Sequence, residues 1–120
     1  MALAKLKADA ASIGFAPQGC TTLLTAASEL MQNTLKYANG GVLKYWDITA
    51  GQRIGIEVTV SDDGPGIPNI DEALQDNFST SNTLGLGLPG VRRLVDEFTL
   101  ESEPGDGTVA TFRVYRGKHA

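Results

Sequence analysis

RIGIEVTVSDDGPGIP, residues 53–68, is the stretch on which the fold turns. Ile54, Ile56, Val58 and Val60 alternate with Gly55, Glu57, Thr59 and Ser61, the period of a β-strand with one buried face. The strand then gives way to Asp62 and Asp63, followed by Gly64-Pro65-Gly66. Carboxylates ahead of glycines suit a ligand better than packing. Glycine lets backbone approach closely, and a carboxylate accepts hydrogen bonds from a base or holds a metal. From this loop alone, metal and base are equally open.

Working outward, Val42 to Thr49 reads as a second strand, joined to Arg53–Val60 by a short Ala50-Gly51-Gln52 turn. Two helices precede the strands. The first covers residues 2 to about 14 and stops at Gly14-Phe15-Ala16-Pro17. The second runs from about Gln18 to Ala38, with an apolar stripe at Leu24, Ala27, Met31, Leu35 and Ala38, and ends at Asn39-Gly40-Gly41. Beyond the loop, a short helix is expected over Ile70–Gln75, then a polar, aperiodic loop from Asp76 to Thr83. A helix starting within Gly85–Pro89 reaches about Phe98, with Val91, Leu94 and Val95 inward. Strands Thr99–Ser102 and Thr108–Tyr115 form a terminal hairpin around Glu103-Pro104-Gly105-Asp106-Gly107. The expected architecture is α/β, a two-layer sandwich with helices on one face of a mixed, mainly antiparallel sheet and water on the other.

With 120 residues, the chain is expected to be one domain over 1–120. A formal net charge of −4 and the lack of any basic run argue against a nucleic-acid partner. One cysteine, Cys20, and one histidine, His119, exclude a disulfide framework and a zinc-finger pattern. No apolar stretch nears the ~20 residues of a membrane span, so no membrane association and a cytoplasmic location are expected. Cys20, at the start of an apolar helix, reads as a small buried hydrophobe.

Two further groups of residues carry potential chemistry. Glu29 and Asn33 are four apart on one helix face, with Lys36 one turn on and Tyr37 beside it. A carboxylate, an amide and an ammonium along one edge suit a Mg²⁺-phosphate site, and equally a solvated helix edge. Gly85-Leu86-Gly87-Leu88-Pro89-Gly90 spells G-x-G-x-x-G, yet a polar loop precedes it where a dinucleotide fold needs a buried strand. As a glycine-rich start to a helix it can hold an anion on free N–H groups, or simply open the helix. Gly105-Asp106-Gly107-Thr108 is a hairpin turn needing positive φ.

The order of these pieces is more specific than any one of them. The chain presents E-x-x-x-N-x-x-K-Y on a helix, D-x-G-x-G after a strand, G-x-G-x-x-G opening a helix, and G-x-G-T in a terminal hairpin. This resembles the GHKL superfamily (gyrase, Hsp90, histidine kinase, MutL), whose ATP site is the Bergerat fold, over about Gln18 to Tyr115. Leu84-Gly85-Leu86-Gly87-Leu88-Pro89-Gly90 followed by Arg93-Leu94-Val95-Asp96-Glu97-Phe98 is most similar to the RsbT-type serine/threonine switch kinases of the stressosome. Members of that family usually begin with a β-strand, whereas this chain opens on helical sequence.

The resemblance implies ATP and Mg²⁺ as cofactors and a role for each motif residue. Asp62 would accept the exocyclic amine of adenine, Gly66 would let the base lie close, and Gly64 and Ile67 would complete that part of the site. Asn33 would ligate Mg²⁺, Glu29 would be the general base, and Lys36 would stand near the phosphates. Gly85, Leu86, Gly87 and Leu88 would cradle the phosphates beneath a short lid, and Thr108 would support the base from the sheet. It further implies a protein serine/threonine kinase acting on STAS-domain antagonists (RsbS- or RsbR-like), which binds a PP2C-type, RsbU-like phosphatase when released. The competing implication is an anti-sigma factor of the same fold that sequesters a sigma subunit.

Overall fold

Alanine and leucine supply seven of the eleven residues of the first helix, and such side chains cost little to order in a helix. The computed structural model describes residues 2–37, 40–64, 87–103, 105 and 107–117, with residues 2, 35–37, 87 and 103 described by backbone alone. Their elements, in chain order, are α1 (Ala2–Ser12), α2 (Pro17–Tyr37), β1 (Val42–Ala50), β2 (Arg53–Asp62), α3 (Gly87–Leu94), β3 (Glu97–Glu103) and β4 (Gly107–Tyr115). The segments expected as a short helix over 70–75 and a polar loop over 76–83 lie outside the described residues. No strand precedes α1 among the described residues.

The four strands form one sheet in the order β1-β2-β4-β3, and all three ladders are antiparallel. Strand periodicity divides it into two faces. Ile56, Val58 and Val60 of β2 and Ala110, Phe112 and Val114 of β4 are buried beneath the helices. They meet Leu6 and Ala10 of α1, Leu23, Ala26, Ala27 and Leu30 of α2, and Val91 of α3 in one core. The buried line on α2 shares Ala27 with the expected stripe and otherwise runs one residue earlier. Leu23, Ala27, Leu30 and Thr34 are buried, whereas Leu24 and Met31 flank the core. Leu35 is described by backbone alone and Ala38 lies outside the described residues. Cys20 is buried as a small hydrophobe, as its position in the sequence indicates.

The opposite face is open. Val42 and Trp46 on β1 and Val109 on β4 are exposed there. Across the middle of this face Arg113 donates from Nε to Glu57 at 2.7 Å, with Glu97 3.6 Å from its Nη1. Tyr115 lies opposite Gly55, where a Cβ would stand 2.8 Å from the ring, and the Arg53 guanidinium stacks 3.8 Å above the same ring. The aromatic ring fills the space that the glycine leaves.

Helix α3 is shorter than its sequence pattern indicates. The pattern carries it to Phe98 with Leu94 inward; the helix ends at Leu94, which is exposed, and β3 begins at Glu97. Asp96 accounts for the change. Its N–H donates to the Arg113 carbonyl at 3.0 Å, and its carboxylate accepts from the Tyr115 N–H at 2.8 Å. Bound twice to β4, the chain leaves the helix for the sheet, and Phe98 pairs with Phe112.

Helix α1 is tied to the sheet edge by one polar contact. Tyr45 Oη donates to Asp9 Oδ2 at 2.6 Å, and Lys5 Nζ donates to the same oxygen at 3.1 Å. The Tyr45 bond, and then the Lys5 bond, hold the Asp9 carboxyl below its usual range, while loss of solvent and the Asp9 bond push the Tyr45 hydroxyl up. A depressed acid stabilises the fold above its unfolded pKa of about 4, and that contribution is lost as pH falls through the lower folded value. A raised phenol stabilises below about pH 10 and loses this as pH rises through its folded value. Tyr45→Phe is therefore expected to lower Tm between about pH 5 and 9, with the gap from wild type narrowing below about pH 4. Thermal denaturation across that range measures it, and a gap independent of pH contradicts the linkage.

Candidate functional site

A row of three cross-strand partners closes one end of the sheet. Asp62 on β2 stands opposite Thr108 on β4, and Thr108 stands opposite Ser102 on β3. The preceding row is Val60, Ala110 and Leu100, all packed in or against the core. A period of two therefore puts Asp62, Thr108 and Ser102 on the helix-covered face, where the hydrophobic layer stops. Asp62 is half-buried and Asp63 exposed. Asp62 Oδ1 accepts from the Gly64 N–H at 2.8 Å, which turns the chain sharply out of the strand. Its second oxygen has no hydrogen-bond partner among the described residues.

Glycines fix this end of the sheet by letting backbones meet. Gly107, at φ +88°, lies so close to β2 that a Cβ there would collide with the Asp62 carbonyl oxygen and stand 3.1 Å from Asp63 Cα. Gly105, at φ +85°, has nothing within 4 Å of such a Cβ. The two glycines of the hairpin thus do different work: one turns the chain, and the other also admits the Asp62 backbone. At Gly41 a Cβ would stand 2.6 Å from the Ser61 carbonyl and 2.8 Å from Thr34 Cγ2. Thr34 follows Asn33, and Ser61 precedes Asp62. The close approach at Gly41 therefore pins the end of α2 that carries Asn33 against the strand end that carries Asp62.

Glu29 and Asn33 are both half-buried on α2. The Asn33 Nδ2 atom is buried and has no hydrogen-bond partner among the described residues. A buried N–H group left unpaired costs about 1–3 kcal/mol, which makes Asn33 a candidate for contact with a ligand. Lys36 lies on α2 one turn further on, described by backbone alone. Gly87 opens α3, whose own first turn holds no acidic side chain to offset its positive dipole end. Leu88 packs against the core, Pro89 and Gly90 are buried, and α3 packs on α2. Gly66, Ile67, Gly85 and Leu86 lie outside the described residues.

The structure thus brings the Asn33 end of α2 and the Asp62–Thr108 row to one region, from segments 29 residues apart in sequence at their nearest members, Asn33 and Asp62. Sequence reading missed the close approach at Gly41, which it took only as part of a helix stop, and the second task of Gly107. The only available signal was a pair of glycines, Gly105 and Gly107, where one suffices for a turn. It also missed Ser102, whose place in the row depends on strand register.

The family described as histidine kinase-, DNA gyrase B-, and HSP90-like ATPase matches residues 20–118. The chain belongs to this family. As a GHKL protein it carries a domain type that binds nucleotide. It is 42% identical over 99 residues to the serine/threonine-protein kinase RsbT of Bacillus subtilis, covering 82% of this chain and 74% of RsbT. It is 34% identical over 99 residues to an anti-sigma F factor of Thermoanaerobacter sp. (strain X514), covering 78% of this chain and 68% of that protein. Among solved structures, the mycobacterial sensor histidine kinase MprB superposes with a TM-score of 0.58 at 20% identity, over 81% of this chain and 72% of that one. The last likeness shows the fold: a GHKL α/β sandwich. The GHKL chain is homologous to a curated serine/threonine-protein kinase over most of its length.

The two hairpin glycines give a direct test of the close approach. Gly105→Ala is expected to cost about 1–2 kcal/mol through its left-handed backbone alone. It should leave the Gly64 amide signal in place. Gly107→Ala adds the collision with Asp62 and is expected to cost about 3 kcal/mol or more. It should also displace the Gly64 resonance. Denaturant melts and amide chemical shifts measure both; equal costs with an unmoved Gly64 contradict the reading.

Proposed function

We propose that this GHKL chain is an ATP-dependent protein serine/threonine kinase of a bacterial partner-switching system. Its substrate is a STAS-domain antagonist, RsbS- or RsbR-like, and when released it binds a PP2C-type, RsbU-like phosphatase in the cytoplasm. The observation that carries the reading is the 42% identity to RsbT across 82% of the chain. The site geometry supports it, because Glu29 and Asn33 share a helix whose end is pinned beside Asp62. No described helix is long and apolar enough to cross a membrane.

Each residue has a task that its chemistry suits. Asp62 accepts the exocyclic amine of adenine, aided by Thr108 from the next strand and by the backbone at Gly64, Gly66 and Ile67. Gly85, Leu86, Gly87 and Leu88 offer the amides at the start of α3 to the phosphates, with Lys36 as a nearby cation. The residues present also fit a Mg²⁺ ion. Among the described residues no cluster of three or more His, Cys, Asp or Glu side chains could hold a metal. Mg²⁺ needs none, since it binds through one or two side chains together with substrate phosphates. Asn33 supplies a hard oxygen, and its unpaired NH₂ suits a phosphate oxygen. When bound there, Mg²⁺ supplies charge neutralisation on the phosphates.

Glu29 takes the proton from the substrate hydroxyl as that oxygen bonds to the γ-phosphorus and the bond to ADP breaks. The chain's own contribution is therefore positioning, anion-binding amides and one base. Removing the base is expected to lower the rate of transfer by about 100-fold or more. To test this, the chain and its Glu29→Ala variant are incubated with labelled ATP, Mg²⁺ and a STAS-domain protein. Label is expected on serine or threonine with the wild type only, with ATP binding retained by the variant. No transfer, or transfer indifferent to Glu29→Ala, overturns the proposal.

The similarity to an anti-sigma F factor supports a second reading, in which binding and sequestering a sigma subunit is the output. Retention of a sigma subunit by the immobilised chain, without transfer to a STAS protein, favours that alternative.

A further inference from the structure

Ser102 makes two hydrogen bonds that together decide where the Thr108 proton points. Its Oγ donates to the Gly107 carbonyl at 3.1 Å and lies 3.0 Å from Thr108 Oγ1. The Gly107 carbonyl accepts only, and a serine hydroxyl has a single proton to give. The two bonds coexist only with the Ser102 proton given to Gly107 and Thr108 donating to Ser102. Any further contact made by Ser102 leaves this balance unchanged, because Thr108 must still be the donor. With its proton turned toward β3, Thr108 Oγ1 presents only lone pairs in other directions. Its neighbour in the row on the other side is Asp62, whose carboxylate also only accepts.

We propose that Ser102 is a specificity-determining residue: by fixing the Thr108 hydroxyl as an acceptor beside Asp62, it sets the site to take a purine with an amino group at C6 and to reject a 6-oxo purine. The inference rests on the proposed placement of the base at Asp62. Ser102 touches no ligand and acts as a positioning residue through Thr108. An exocyclic amine brings two N–H donors to an edge lined by acceptors. A 6-oxo group brings an acceptor against acceptors, and unpaired buried polar groups make such a mismatch costly. Without Ser102, the Thr108 proton is free to turn outward and meet the carbonyl. The specificity then weakens although neither Asp62 nor Thr108 has changed.

The test is equilibrium calorimetry of ATP and ITP with Mg²⁺, which needs no turnover. ITP replaces the 6-amino group of ATP by oxygen and keeps the sugar and phosphates. Wild type is expected to prefer ATP by about 100-fold or more. Ser102→Ala is expected to narrow that ratio by about tenfold, mainly by tightening ITP. Ser102→Thr, which keeps a hydroxyl donor, is expected to restore it. Ser102→Cys, near in shape but a weak donor, should narrow the ratio like alanine and keeps the test available if alanine loosens the hairpin. A purely structural serine would weaken both nucleotides alike and leave the ratio alone. An unchanged ratio in folded Ser102→Ala or Ser102→Cys, with a wild type that prefers ATP, overturns the role of Ser102 and leaves the nucleotide site standing. A wild type that binds neither nucleotide overturns the site itself, and the inference with it.

Discussion

The antiparallel pairing of β2 with β4 is the constraint on which the rest of the molecule depends. It sets Ile56 against Val114, Val58 against Phe112 and Val60 against Ala110, and every one of these side chains is buried. The same register, carried one step further, places Asp62 opposite Thr108. A slip of one residue would turn the whole hydrophobic set to solvent and the carboxylate with it, so core burial enforces the geometry of the site. Gly107 sharpens the register, because only a residue without a Cβ lets β4 begin against the Asp62 carbonyl.

Helices then complete what the ladder begins. Phe112, Ile56 and Val58 are fully buried against α2, and that packing fixes where the helix lies. Its last turns are pinned by the Gly41 approach to Ser61 and by the Gly40 N–H, which donates to the Thr34 carbonyl at 3.2 Å. Half-buried Asn33, whose Nδ2 is buried without a hydrogen-bond partner among the described residues, lies on the turn that these contacts pin. The opposite sheet face, bearing Trp46 and the Glu57–Arg113–Glu97 chain of charges, is separated from this region by the thickness of the sheet.

Much of this was legible in the sequence because it is periodic. Alternation from Ile54 to Val60 identified β2 and its buried face, and the motif order around Glu29, Asn33 and Asp62 pointed to GHKL, the family to which the chain belongs. What escaped depends on contacts between distant segments. The end of α3 was read four residues late, because Leu94-Val95-Asp96-Glu97-Phe98 continues a helical pattern that only the Asp96 bonds to β4 interrupt. Ala27 of the α2 stripe is buried as expected, but Leu24 and Met31 only flank the core, since Leu23 and Leu24 are chemically alike and only the neighbouring elements decide which is buried. Ser102 carries no signal at all without strand register. Gly66, Ile67, Gly85 and Leu86, where the motif reading is most specific, lie outside the described residues.

The central claim is that the Asp62 end of β2 and the Asn33 end of α2 form one nucleotide site. A ¹⁵N-resolved NMR titration with ATP and Mg²⁺ tests it most directly. The backbone amides of Asp62 and Gly64 and the side-chain NH₂ of Asn33 are expected to shift together and saturate with a single Kd. Signals unmoved at both ends while others respond to ATP would contradict it.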